Sequence, residues 1–156
     1  MYQHILVTTD GADIDHAAVR HAAALTRALG TRLTLLHIVP DAHLELGSGN
    51  DLSVAAEDIE QEWARVGEHA LDEGILDADC TRLTPLQRPA RGRDVPHAIL
   101  EEAAELCANL IVMATHGRKG LAHLLLGSVA DRVVHDAQVP VLLTSPGHAP
   151  PGLTRP

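Results

Sequence analysis

The sequence predicts an α/β domain: a doubly wound, five-stranded parallel sheet with helices on both faces. Three observations carry that prediction. Five short strand-like runs alternate with four segments of helical period, without an internal repeat. Parallel strands need crossover connections, and helices of this length supply them. The run from Asn109 to Ala114 reads as a strand buried on both faces, and it breaks into a polar, glycine-bearing turn.

The first strand, His4 to Thr9, is a β-branched run that stops at the turn signal Asp10-Gly11. A helix opens near Asp13 or Asp15, sets Ala18, Ala22, Leu25 and Leu29 on one apolar face, and ends at Gly30, which supplies a left-handed residue. The second strand is Arg32 to Val39, closed by Pro40-Asp41. Asp41 to Asn50 has no period and carries Gly47 and Gly49 among polar residues, so it is expected to be a mobile surface loop. A longer helix is expected from about Asp51 to Gly74, with Ile59, Trp63, Val66 and Ala70 inward and acids on its other face, a solvated surface and not a metal site.

Cys80 to Leu86 forms a third strand, and Pro85 restricts it to the edge of the sheet. After Pro89-Ala90-Arg91-Gly92 comes a third helix with Pro96 in its first turn and Val95, Ile99, Ala103 and Leu106 on one face. The buried strand 109–114 follows. A fourth helix begins at about Ser128, with Ala130, Val133, Val134 and Ala137 inward, and Val139 to Thr144 is the last strand. Residues 1–145 make one domain, and the proline- and glycine-rich 146–156 is expected to be a disordered tail.

Composition narrows the function classes. At 156 residues and 46% hydrophobic, the chain has material for one real core. A net charge of −9 argues against coating nucleic acid or lying on an anionic membrane. With no phenylalanine, and Tyr2 and Trp63 the only aromatics, stacking platforms for single strands have almost nothing to be built from. Cys80 and Cys107 have no CxxC spacing, the N-terminus carries no signal-peptide pattern, and no apolar run approaches a membrane span; a cytoplasmic protein is expected.

The candidate chemistry lies at two strand ends. Ligands of open parallel sheets bind beyond the carboxyl ends of the strands, where the strand order reverses. Thr8-Thr9-Asp10 follows the first strand; Thr115-His116-Gly117-Arg118-Lys119-Gly120 follows the fourth, and holds the only lysine in the chain. If those strands are neighbours, both segments line one crevice. Gly117 and Gly120 let backbone approach phosphate oxygens, Arg118 and Lys119 neutralise them, and Ser128 offers a hydroxyl at a helix start. The plain alternative is that the glycines only make a tight connection.

Other motifs are absent: there is no GxxxxGK[ST], no GxSxG and no HExxH. Gly47-Ser48-Gly49-Asn50-Asp51-Leu52 lacks the third glycine of GxGxxG. His16 and His21 are five apart, off the register that favours shared metal ligation, and no metal ligands are assigned; His116 stays of interest because it lies in the loop.

The order Ile5-Leu6-Val7-Thr8-Thr9-Asp10-Gly11, then Leu36-His37-Ile38-Val39, then Leu110 to Arg118, then Leu126-Gly127-Ser128-Val129 and Val139 to Leu143 resembles the universal stress protein family (UspA-like domain) over roughly residues 3–144. Its ATP-binding branch is marked by Gly, two residues, Gly, nine residues, Gly, then Ser or Thr. Gly117, Gly127 and Ser128 match, whereas Ala114 stands at the first glycine.

The resemblance implies an adenine-nucleotide α-hydrolase-like sheet of order 3-2-1-4-5. It places Thr8, Thr9 and Asp10 against adenosine, Ile38 and Met113 beside adenine, and Gly117, Arg118, Gly127, Ser128 and Val129 on ribose and phosphates, with Ala114 next to them. It implies ATP as the ligand, with Mg2+ recruited by the phosphates, and a homodimer through the last strand, Val139 to Thr144. It also implies a stress-response regulator that acts through an unknown protein partner, with at most weak ATPase or autophosphorylation and no catalytic residues assigned. Two alternatives stay open: a nucleotide-free interaction module of the same family, and a weak ATP-hydrolysing or adenylate-forming enzyme.

Overall fold

The computed structural model describes residues 1–47, 53–115 and 127–145. Its elements, in chain order, are β1 (His4–Thr8), α1 (Asp15–Leu29), β2 (Arg32–Val39), α2 (Ala42–Leu46), α3 (Ser53–Ala78), β3 (Leu83–Pro89), α4 (Val95–Glu105), β4 (Leu110–Ala114), α5 (Ser128–Asp136) and β5 (Val141–Thr144). The strands form one parallel sheet of order β3-β2-β1-β4-β5. Ile5 lies between Leu33 and Leu110, and Leu6 between Thr34 and Ile111, so the alternation along β1 sorts side chains to the two faces.

One face, with Ile5, Val7, Leu33, Leu35, Leu110 and Val112, packs against α1 and α3; the other, with Leu6, Leu36, Ile38, Ile111 and Met113, against α4 and α5. β1 is covered on both sides, so every one of its five residues is buried. Truncating a fully buried side chain such as Ile111 to alanine costs about 2–5 kcal/mol.

The order puts β3 on an edge, which is where Pro85, paired in register with Leu35, leaves no hydrogen bond unmade on its outer side. Gly30 adopts φ 68° and its N–H donates to the Thr26 carbonyl, closing α1.

The structure corrects several expectations. The segment after Asp41 is not a featureless loop. Its first part is α2, made possible by the Asp41 side chain, whose Oδ1 accepts from the N–H groups of His43 (3.0 Å) and Leu44 (3.2 Å). Asp41 Oδ2 accepts from Gly92 N (2.6 Å), so the same carboxylate also fastens the connection before α4. These three N–H bonds, Gly92 first, hold the Asp41 carboxyl below its ordinary pKa. The described residues therefore contain five helices, where four were expected.

Strand and helix bounds also shift. β3 runs from Leu83 to Pro89 and not from Cys80, β5 starts at Val141 and not Val139, and α3 continues to Ala78 past the expected stop at Gly74. On α1 the inward face is Ala18, Val19, Ala22, Ala23 and Thr26, while Leu29 is exposed; on α5 Val134 faces out.

On α3, Val66 is exposed and the buried stripe runs through Gly67, Ala70, Leu71, Gly74 and Ala78. Scoring only apolar side chains hides such a face, because two of its members are glycines. A Cβ at Gly67 would come within 2.1 Å of His37 Cδ2 and 2.6 Å of Gln87 Oε1, so the helix axis lies close to β2 only because nothing projects there. The tail, 146–156, and residues 48–52 lie outside the described residues.

Candidate functional site

A crevice opens at the carboxyl ends of β1 and β4. It encloses about 170 Å³ and is lined by Thr8, Thr9, Asp10, Ile38, Met113, Ala114, Gly127, Ser128 and Val129, together with Ile14, Asp15, Leu36, Val95, Ile99 and Ala130. Nine of the eleven site residues expected from the sequence thus meet in one place. The other two, Gly117 and Arg118, lie outside the described residues, as do His116, Lys119 and Gly120.

The first half of the site is the β1–α1 turn. Thr9 N donates to the Leu36 carbonyl (2.9 Å), extending the sheet pairing by one residue, and the Thr9 carbonyl meets His37 Nδ1 (2.9 Å). Beyond it the chain closes on its own polar groups. Asp15 Oδ2 accepts from Thr9 Oγ1 (3.1 Å) and from Asp10 N (2.8 Å); Thr9 Oγ1 accepts from Gly11 N (3.2 Å); Asp10 Oδ1 accepts from Ala12 N (2.9 Å). Gly11 makes the reversal at φ 88°, a backbone angle that costs other residues strain, and a Cβ there would also touch Ala70 Cβ at 3.4 Å. The loop therefore holds Thr8, Thr9 and Asp10 in place without help from a ligand.

The second half is β4 and the start of α5. Gly127 is the N-cap of α5, at φ −55°, and among the described residues no side chain caps the helix. Its carbonyl accepts from Asp131 N (2.9 Å), the first turn's own bond, and the early N–H groups of Ser128 and Val129 come without a capping side chain. A helix start of this kind favours an anion, through both its donors and the helix dipole. Ala114, at the end of β4, is partly exposed and does not have a positive φ, so the methyl that replaces a glycine hydrogen there imposes no backbone strain. Ile38 and Met113, both nearly buried, give the crevice an apolar wall.

The main residue that sequence reasoning missed as part of the site is Asp15. It was expected only as a helix start, yet its side chain is 9% exposed and faces the crevice. Burial pushes its carboxyl up to about 7; the Asp10 N–H pulls the other way, and the neighbouring Asp10 carboxyl raises it further. The hint was three acids within six residues, at 10, 13 and 15, more than a single cap needs. Val95 and Ile99 were placed on the inner face of their helix, but the helical period says nothing about which inner residues reach the crevice.

The sequence profile described as the universal stress protein family matches residues 1–145, which is most of the chain. The chain belongs to the universal stress protein family. A universal stress protein of Methanocaldococcus jannaschii is 30% identical over 145 residues, covering 92% of this chain and 82% of that one. A mycobacterial relative from Mycobacterium tuberculosis is 31% identical over 140 residues, and this chain spans 44% of its length.

Among solved structures, the universal stress protein UspA of Lactobacillus plantarum shares the fold with a TM-score of 0.75 at 22% identity, over 91% of this chain and 97% of its own. A universal stress protein solved in complex with cAMP superposes with a TM-score of 0.62 at 25% identity, over 92% of this chain and 97% of its own. The five-stranded sheet of order 3-2-1-4-5 is thus the fold of universal stress proteins. Among the described residues, no helix is long and apolar enough to cross a membrane, and no three His, Cys, Asp or Glu side chains are grouped to hold a metal ion.

Proposed function

We propose that this universal stress protein binds an adenine nucleotide, with ATP as the leading ligand, in the crevice between β1 and β4, and acts through that occupancy as a cytoplasmic stress-response regulator. The observation that carries this reading is the meeting of a prebuilt Thr8-Thr9-Asp10 turn and the uncapped start of α5 across an apolar wall of Ile38 and Met113. Adenine needs the apolar wall, ribose hydroxyls need an acceptor such as the Asp10 carboxylate, and phosphates need the N–H groups of Gly127, Ser128 and Val129. The likeness to a universal stress protein solved with cAMP supports the same class of ligand.

Magnesium, in this reading, arrives on the phosphates and needs no protein cage. Turnover is slow in this reading, because the hydroxyl that meets a carboxylate in the crevice, Thr9 Oγ1 on Asp15 Oδ2, also accepts from Gly11 N and is tied into the turn. The protein works as a homodimer joined along β5, whose Val141, Leu142 and Leu143 are each partly exposed on an open edge of the sheet.

Calorimetric titration with ATP, AMP and cAMP tests the ligand. Saturable binding of at least one at micromolar concentration is expected, and no binding of any would leave the family's interaction-module role as the reading. A turnover of several per second would sink the slow-hydrolysis part, and a monomer by sedimentation at tens of micromolar would sink the dimer.

A further inference from the structure

The crevice contains a titratable group for which simple nucleotide binding has no use. Asp15 is buried, lines the crevice wall, and among the described residues forms no ion pair with any lysine, arginine or histidine. Its Oδ2 is taken up by Thr9 Oγ1 and Asp10 N, and the Asp10 carboxyl, which lines the same crevice, is near enough to raise the Asp15 carboxyl. Two carboxyls thus adjoin at the site where an anionic ligand would sit.

Among the described residues, no surrounding charge neutralises them. On α1, His16 and Arg20 are both turned to Asp77 of α3. From α3, Glu73 lines the small cleft on the far side of Asp15 and pairs with His69. From β2, His37 faces the Thr9 carbonyl. Asp13, in the turn itself, is exposed. The described residues of α4, β4 and α5 that reach the crevice are all uncharged.

We propose that Asp15 is a proton-operated selector for the crevice: protonated, it donates to the Asp10 carboxylate and the two residues together present one negative charge to an anionic adenylate, whereas with Asp15 ionised they present two and weaken that ligand's binding. The inference rests on the adenine-nucleotide reading of the crevice. Burial places the change near neutrality, because the Asp15 carboxyl is raised to about 7. Nucleotide occupancy then follows intracellular acidification, rising as pH falls through 7.

The probe is cAMP, whose phosphodiester keeps one negative charge across the neutral range, so the ligand itself does not titrate. Its affinity for the wild-type protein should fall about five- to tenfold between pH 6 and pH 8, as the protonated fraction of Asp15 drops to about a tenth. Asp15→Asn keeps the acceptor for Thr9 and Asp10 N and donates permanently to Asp10, so its affinity should stay within about twofold over the same range. The histidines are untouched in that variant, so a pH dependence that survives in it belongs to them and overturns the inference. A flat wild-type profile overturns it as well. No binding of cAMP at either pH overturns the inference as stated for this ligand, and it removes the nucleotide reading too when ATP and AMP are also silent, an outcome distinct from the other two. Carbon-13 NMR of the Asp15 carboxyl in the wild-type protein gives a readout independent of any variant: a midpoint near 7 is expected, and one below about 5 refutes the selector.

Discussion

The two halves of the crevice are built on opposite plans. The β1–α1 turn satisfies itself: Thr9, Asp10, Gly11, Ala12 and Asp15 exchange four hydrogen bonds within a span of seven residues. The β4–α5 side has a glycine at the N-cap, which brings no side chain to the first donors of the helix. A self-satisfied turn is a template, rigid before anything binds, whereas an uncapped helix start gains from whatever anion arrives. On the proposed reading, the first half would supply shape and proton state and the second half anion affinity.

The largest expected effect comes from giving α5 a cap of its own. Gly127 sits at φ −55°, open to any residue, and aspartate is among the best N-caps, so Gly127→Asp should fold at least as well as wild type while its carboxylate occupies the donors. Nucleotide affinity should fall more than about 100-fold by calorimetry, on the order of 3 kcal/mol. A variant that binds normally would show that the helix start is not where the anion sits.

The next effect tests the first half through stability. The native state keeps a proton on Asp15 up to about pH 7, while the unfolded chain releases it near 3.8. Between those values the native state binds more protons, so this residue's contribution to stability falls as pH rises. Asp15→Asn should match wild type in urea unfolding at pH 4, gain on it through pH 7 and level off above, by about 4 kcal/mol. Equal stabilities at pH 4 and pH 8 would mean that the carboxyl is ionised throughout.

Gly11→Ala should cost about 1–2 kcal/mol of stability, because φ 88° strains alanine and its methyl meets Ala70. A neutral result would mean that the turn is looser than its hydrogen bonds imply. The smallest effect is expected at Ala114. With no positive φ to accommodate, Ala114→Gly should change nucleotide affinity by less than about threefold. A tenfold gain would show that the methyl, and not the backbone, is the obstacle at that position.

Most of the fold was legible in the sequence because it rests on periodicity. The runs at Ile5, Leu33 and Leu110 are strongly apolar, and Gly30 and Pro85 punctuate where backbone geometry requires them. What escaped was anything decided by a single side chain acting across the chain. α2 exists because of one aspartate cap, and five residues are too few to display a period. The inward face of α3 was misjudged at Val66 because Gly67 and Gly74 carry no hydropathic signal, although both lie against β2 residues. The same holds at the site. Strand ends and helix starts could be located from motifs, so nine expected residues converge, but the burial of Asp15 depends on Thr9 and on α3 packing behind the turn.

Asp41 has a consequence for the way the molecule opens. Its carboxylate closes the first turn of α2 with one oxygen and holds Gly92 with the other, across 51 residues of chain. Gly92 leads directly into α4, whose first residue, Val95, forms part of the crevice wall. Unwinding α2 therefore releases the approach to that wall, and displacing the wall removes the cap from α2. Through that bond the two segments are expected to open together, and amide exchange in α2 should then follow that at the start of α4.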